Sequence, residues 1–338
     1  MYFLTVILET PTQESVSLRC RLTFFTAQSS KSYWDQRFAN ERDFDWLLPP
    51  STILPIIDEQ LSGLPSTPNS RFRSVLHIGC GNSSTSHALT SLLDRPGDSV
   101  TNVDFSERVV EAARAKAAKP PFAGSQTPCE VHWQSMDLLS LSNIRDTLLS
   151  QPCGPFDLVL DKSTSDSIAC GEDISIPLPY AIYTPHSPSG PAFSSSPQAA
   201  HIHPLHLLSI HLAVLCPSEG SRWLAFSFSP SRFSFLEDDT IFVFDLADGT
   251  ASKEIAGGAL PTAGSLWRVK EKWGVQVESG ERGLREDADG HGREGKMGAH
   301  VVHRPPEMCW VYVLVRTELE VRLRWSHIAN ERSEVISR

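Results

Sequence analysis

Five short apolar runs punctuate the middle of the chain, four of them ending at a glycine or serine. SVLHIGCG (74–81), SVTNVDFS (99–106), CEVHWQSMDLL (129–139), GPFDLVLDKS (154–163) and SRWLAFSFS (221–229) read as buried strands. Between them lie stretches of helical character: Ser83 to Leu93, the Ala-rich Glu107 to Ala118, residues 142–149 and the apolar segment 204–216. Strands and helices alternating at this spacing imply parallel pairing through right-handed crossovers. Upstream, Ser32 before aromatic and charged residues predicts a helix start, and Pro49-Pro50 closes that segment. Residues 52–61 predict an amphipathic helix stopped by Gly63 and Pro65. Downstream, 267–279 alternates with period two and 308–317 is almost continuously apolar, which predicts an antiparallel pair closing the sheet.

Two segments read as exposed insertions. One is about 171–204, whose Ser/Pro-rich portion 184–204 is expected to form no packed element; the other is the Gly- and charge-rich 279–307. The expected organisation is therefore a leader of unknown role (1–30), one domain (31–317) with these two insertions, and a C-terminal tail (318–338).

Composition narrows the class. The 338 residues are 40% hydrophobic and 21% charged, long enough to bury a core without covalent staples. Thirty basic against forty acidic residues, net charge -10, argue against a chain built to coat nucleic acid or an anionic membrane. That balance suits a basic protein partner. The seven cysteines form no CxxC pair and read as reduced thiols of an intracellular, cytoplasmic protein. No apolar run approaches a membrane span, and the opening MYFLTVILET lacks the basic n-region of a signal peptide.

The chemistry gathers where the strands end. Gly79 and Gly81 in HIGCGNSS allow close backbone approach to a ligand at a helix N-terminus. A dinucleotide fingerprint would require glycine at 84, where the chain has Ser84. Asp104 closes the second strand, placed to accept from both hydroxyls of a ribose or, equally, to cap the next helix. Asp137 follows the third strand and could accept from an adenine amino group. Asp161 and Lys162 end the fourth, facing the same crevice. His201, His203, His206 and His211 fit no zinc spacing, so no metal is expected; they suit a polar helix start. Glu237-Asp238-Asp239 reads as a solvated helix start able to meet a basic partner.

This order of motifs resembles the class I S-adenosylmethionine-dependent methyltransferases, and within them the methyltransferase-like branch that includes lysine methyltransferases of translation elongation factor 1-alpha. YWDQRF (33–38), FDWLL (44–48), VLHIGCGNSS (75–84), VTNVDFS (100–106), FDLVLDKSTSD (156–166) and HRPPEMCWVYVLVRT (303–317) carry the likeness. It implies a seven-stranded Rossmann-like α/β sheet with an antiparallel terminal strand pair. It further implies S-adenosylmethionine as cofactor and a lysine-bearing protein as substrate. By the resemblance, Trp34 and Phe38 cover the cofactor, and Gly79 and Gly81 flank its methionine moiety. Asp104 binds the ribose, Phe105 flanks the adenine, and Asp137 with Leu138 holds the adenine edge. Asp161, as the catalytic candidate, and Lys162 line the methionine end. Ser163 and Ser165 depart from the family's glycine and apolar residue beside the acceptor entrance, and Phe38 stands where tyrosine is common. An inactive cofactor-binding scaffold, a small-molecule methyltransferase and an NAD-linked oxidoreductase are the competing readings.

Overall fold

The computed structural model describes residues 28–40, 47–65, 72–82, 84–117, 129–149, 154–185, 197–238, 240–246, 249, 251–255, 260–277 and 308–324. Most of the expected leader, Trp46, the Ser/Pro tract 186–196, the 279–307 insertion and the end of the tail lie outside those residues.

In chain order the elements are α1 (Lys31–Asn40), α2 (Pro50–Ser62), β1 (Ser74–Ile78), α3 (Thr85–Ala88), β2 (Ser99–Asp104), α4 (Glu107–Ala117) and β3 (Glu130–Ser135). Then follow α5 (Leu141–Asn143), β4 (Leu158–Lys162), α6 (Thr164–Ile168), β5 (Ile174–Leu178), β6 (Ile182–Tyr183), β7 (Gln198–Ile202) and α7 (Pro204–Leu215). The chain continues through β8 (Arg222–Ser227), β9 (Thr240–Asp245), β10 (Ala251–Ile255), β11 (Trp267–Gln276), β12 (Met308–Arg316) and β13 (Arg322–Leu323).

Seven strands make one sheet in the order β11-β12-β8-β4-β1-β2-β3. β3, β2, β1, β4 and β8 pair in parallel, while β12 runs antiparallel to both β8 and β11. The expected Rossmann-like α/β sheet with an antiparallel end is therefore present. Its inner strands β1, β2, β4 and β8 are buried along nearly their whole length because both faces are covered, whereas the edge strands β3 and β11 are largely exposed. Alternate residues explain the two layers. Val75, Leu160, Leu224 and Val311 pack with Ile53, Ile57 and Leu61 of α2. Leu76, Val159, Trp223 and Leu314 pack with Leu208 and Leu212 of α7. Fully burying an aliphatic side chain of this size contributes about 1.5–3 kcal/mol, so three such residues suffice to hold α2 on the sheet. In α7, eleven of twelve residues are buried, which is why its sequence shows little amphipathic contrast.

The first insertion-like region, about 171–204, differs from the sequence expectation. β5, β7, β9 and β10 form a separate antiparallel sheet in the order β10-β9-β7-β5. β7 lies inside the segment expected to stay unpacked, and buries Ala199, Ala200 and Ile202. Its small alanines hid a strand that is fixed by partners on either side rather than by its own propensity. The start of the tail is likewise built in, since β13 pairs with β6. The helix expected from Ser83 to Leu93 is one turn of α3 followed by a tighter turn at Leu89–Ser91. Glu237 closes a short 3-10 turn leading towards β9, where a helix start was expected.

Candidate functional site

A cavity of about 580 Å³ opens at the carboxyl ends of the parallel strands. This is the place where open α/β sheets bind ligands, and its size falls in the small-molecule range. The turns after β1, β2, β3 and β4 form its floor.

The β1 turn is made for close approach. Gly79 has φ +56 and Gly81 φ +53, conformations that cost a residue with a Cβ. A Cβ on Gly79 would collide with Thr164 Oγ1, which itself donates to the Ile78 carbonyl at 2.9 Å. On Gly81 it would meet only Phe38, at 3.6 Å, on the cavity side.

Asp104 holds this turn from β2. Its Oδ2 accepts from Gly81 N at 2.8 Å and its Oδ1 from Ser106 N at 2.9 Å. The bond to Ser106 N serves the helix start that was one of its expected uses, and the bond to Gly81 N is a tie the sequence did not announce. Burial pushes its carboxyl up to about 6, against the lowering effect of those two N–H groups. Phe105 joins it in the cavity wall. From β3, Asp137 and Leu138 line the same space. Asp137 Oδ1 accepts from Leu139 N at 2.9 Å, fixing a turn that holds both residues.

Helix α1 covers the opening with Trp34 and Phe38, whose rings stack with centroids 5.6 Å apart. None of its residues is buried, so Trp34 is not part of the core. Two polar ties seat the helix: Trp34 Nε1 donates to the Gln28 carbonyl at 2.7 Å, and Ser106 Oγ donates to Asp35 Oδ1 at 2.5 Å. Gln28 and Ser29 also line the cavity, so the end of the expected leader belongs to the site.

The β4 end separates two neighbours. Lys162 lines the cavity, and its Nζ donates to Thr85 Oγ1 at 3.2 Å. Asp161 lies behind the wall. It is fully buried; Oδ1 accepts from Thr164 N at 2.8 Å and Ser165 N at 3.1 Å, and Oδ2 accepts from Trp223 Nε1 at 3.2 Å. Period-two alternation explains the split, because successive strand residues face opposite layers. Asp161 therefore organises the start of α6 and does not reach the cavity as expected of a catalytic group.

Asp166 reaches it instead. Its Oδ1 accepts from Ser227 Oγ at 2.5 Å and Arg232 Nε at 2.7 Å. Its Oδ2 accepts from Ser163 Oγ at 2.7 Å and Phe228 N at 3.1 Å. Ser163 sits at φ +69, the left-handed conformation for which glycine is best suited. Its hydroxyl supplies what glycine lacks, a bond to Asp166. Asp166 was visible within DKSTSD, but nothing in the sequence marked Arg232 or Phe228 as its partners.

Beneath the floor, His77 Nδ1 lies 3.0 Å from Ser86 Oγ and 3.2 Å from Asn102 Oδ1, while burial and the Lys162 charge lower its pKa to about 3. The histidines of α7 are structural. His211 Nδ1 donates to the Leu138 carbonyl at 2.7 Å, leaving Nε2 to accept from Tyr180 Oη at 2.8 Å. Among the described residues no three metal-ligating side chains cluster, and no helix is long and apolar enough to cross a membrane.

Parts of this chain are similar to known proteins. Residues 70–178 match a family model described as a methyltransferase domain. Methyltransferase srdJ of Neurospora crassa is 32% identical over 146 residues, 43% of this chain and 56% of that protein. EEF1A lysine methyltransferase 4 of Bos taurus is 32% identical over 143 residues, 41% of this chain and 46% of that protein. The matched region thus spans about half the length of these curated relatives. A solved SAM-dependent methyltransferase from Methanosarcina mazei is 14% identical, covering 79% of this chain and 98% of its own, with a TM-score of 0.39. Residues 70–178, which carry the glycine turn, Asp104, Asp137 and the β4–α6 turn, are thus the part of this chain that is similar to the methyltransferase-domain family.

Proposed function

We propose that residues 31–317 act as one S-adenosylmethionine-dependent methyltransferase domain, working in the cytoplasm on a lysine of a basic protein, with translation elongation factor 1-alpha as the leading candidate. The observation that carries this reading is the Asp104–Gly81 arrangement in the floor of an anionic cavity. Among the described lining residues Asp104, Asp137 and Glu172 stand against a single cation, Lys162, while Asp166 is paired with Arg232. A sulfonium cofactor and an ammonium acceptor both gain from such a field, whereas a phosphate backbone does not.

The residues present fit the cofactor. Gly79 and Gly81 leave their turn free of side chains, and Asp104 keeps acceptor capacity beyond Gly81 N and Ser106 N. In this reading Asp104 takes the ribose hydroxyls, Phe105, Asp137 and Leu138 hold the adenine, and Lys162 lies at the methionine end. Trp34 and Phe38 exclude water from above. When bound, the cofactor supplies an electrophilic methyl on sulfur. The chain's task is alignment in a dry site. A lysine acceptor, with pKa near ~10.4 in water, must lose its proton before it can attack. Asp161 is enclosed by three N–H donors and is not assigned that proton; its role here is to position the Ser163 turn. The EEF1A lysine methyltransferase relative supports the acceptor class.

The test is calorimetric titration of the full chain with S-adenosylmethionine and, in parallel, NAD, followed by radiolabelled methyl transfer in a cell lysate. Micromolar binding of S-adenosylmethionine and label on a lysine support the proposal. Binding without transfer to any protein points to a scaffold, and preference for NAD overturns the cofactor assignment.

A further inference from the structure

Helix α1 lies over the cavity without burying any residue of its own, unlike α2, whose buried apolar side chains hold it on the sheet. Phe38 rests, part-buried, against the small cluster of Cys80, Val109, Val110 and Trp133. A helix held this lightly is positioned by directional bonds. Of its two polar ties, that of Trp34 stays within the segment leading into the helix, where Gln28 accepts. The other crosses to the body of the molecule. Ser106 is fully buried just before α4, and its hydroxyl donates to Asp35 Oδ1 at 2.5 Å. Lys31 Nζ, one turn earlier in α1, donates to Asp35 Oδ2 at 2.6 Å, which fixes the carboxylate and leaves Oδ1 for Ser106. A hydroxyl donating to a charged oxygen makes one of the stronger hydrogen bonds open to a side chain.

The same serine carries the tie inward. Its N–H donates to Asp104 Oδ1 at 2.9 Å, and Asp104 Oδ2 accepts from Gly81 N at 2.8 Å. A run of hydrogen bonds therefore leads from the covering helix to the glycine turn, through Asp35, Ser106, Asp104 and Gly81. Phe38 meets the same turn from above, 3.6 Å from where a Cβ on Gly81 would stand. Trp34, Phe38, Gly81 and Asp104 line the cavity, whereas Asp35 and Ser106 do not. Asp35 directly follows Trp34 and stands one helical turn before Phe38, so its bond to Ser106 fixes where the two rings stand without reaching into the cavity.

We infer that Asp35 is a positioning residue of the ligand site: latched to Ser106, it seats Trp34 and Phe38 over a bound molecule and sets how long that molecule stays. The inference rests on the methyltransferase reading for the identity of that molecule, S-adenosylmethionine. Asp35 acts through Ser106 and the two rings, not on the ligand itself. A ligand leaves when α1 lifts, and lifting breaks the Ser106–Asp35 bond; a ligand enters while α1 is already lifted. The latch therefore acts on dissociation more than on association.

Two measurements on the full chain test the latch. Hydrogen exchange read by mass spectrometry, without ligand, should show residues 28–40 exchanging about three- to thirtyfold faster in Asp35→Ala and in Ser106→Ala, with β1 and β4 unchanged. Surface plasmon resonance with S-adenosylmethionine should show dissociation faster by about the same factor in both variants, with association not slowed. Asp35→Asn keeps an oxygen for the Ser106 hydroxyl and should stay within about threefold of wild type in both readouts. The double variant Asp35→Ala/Ser106→Ala should be no worse than either single one, because the two residues share one bond. Unchanged exchange of 28–40 in both alanine variants, unchanged dissociation, or affinity lost through slower association overturns the inference. Slower association would mean that the substitutions had only disturbed Asp104. If wild type binds no S-adenosylmethionine, the cofactor reading falls, and the exchange of 28–40 alone decides the latch.

Discussion

Replacing Asp104 by asparagine should separate binding from stability, and the structure allows both magnitudes to be worked. The carboxyl sits at about 6 instead of 3.8 because burial penalises its charge. A shift of about two units corresponds to ~3 kcal/mol of strain in the ionised form. The sign follows from the direction of the shift. Stability from this group is fully present below 3.8 and is lost as pH rises through 6, so at pH 7–8 the folded chain bears the cost. Asparagine removes that cost. It also turns an NH2 towards either Gly81 N or Ser106 N, both of which now donate to a carboxylate oxygen. Leaving one such donor unmet costs about 1–3 kcal/mol. The two effects oppose each other, and Asp104→Asn should lie within about 2 kcal/mol of wild type in urea at pH 7.5.

Binding has no such compensation. Hydrogen bonds to a charged group contribute about 1.5–3 kcal/mol, so losing the charge should weaken S-adenosylmethionine about ten- to hundredfold. In wild type the affinity should be constant above pH 6 and fall roughly tenfold per unit below it, because the ligand then competes with a proton. In Asp104→Asn that dependence should vanish. Calorimetric titration between pH 5 and 8 reads both effects. Wild-type affinity in the variant, or a flat wild-type profile, would refute the assignment of Asp104 to the ligand.

Three further outcomes are expected. Ser163→Gly relieves a left-handed strain of about 1–2 kcal/mol but loses the bond to Asp166 and adds unfolded-state freedom, for a net loss near 1 kcal/mol. Ser163→Ala keeps the strain and loses the bond, so urea titration should rank wild type above glycine and glycine above alanine; equal values for the two variants would contradict the φ of +69. Asp161→Ala should cost about 2–4 kcal/mol through three lost hydrogen bonds while S-adenosylmethionine affinity changes less than about threefold, and a large loss of affinity in a stable variant would return Asp161 to the site. Tyr180→Phe should cost about 1–3 kcal/mol by leaving His211 Nε2 unmet in the core, read as a lower urea midpoint at pH 7; an unchanged midpoint would mean that His211 finds another donor.

What the sequence revealed followed from local physics. Strands β1, β2, β4 and β8 announced themselves because residues buried on both faces must be apolar, and the glycines at 79 and 81 because only glycine tolerates their φ at low cost. Asp104 was legible for the same reason: a strand-ending acid before a helix has few other uses. β7 was hidden because QAAHI carries neither a strong pattern nor strand-forming residues, and its burial comes from β5 and β9, distant in sequence.

The exchange between Asp161 and Asp166 shows where a one-dimensional reading runs out. Both acids lie in DKSTSD, and the strand end is the customary place to look for chemistry. Which carboxylate faces the cavity depends on the left-handed turn at Ser163, after which Asp161 receives the N–H groups of α6. Asp166, one turn later, is carried to the cavity and tied there by Ser227 at the end of β8 and Arg232 beyond it. Those partners are more than sixty residues away. The choice of acid is therefore a property of the β4–β8 contact, which sets Asp166 against the backbone N–H of Phe228.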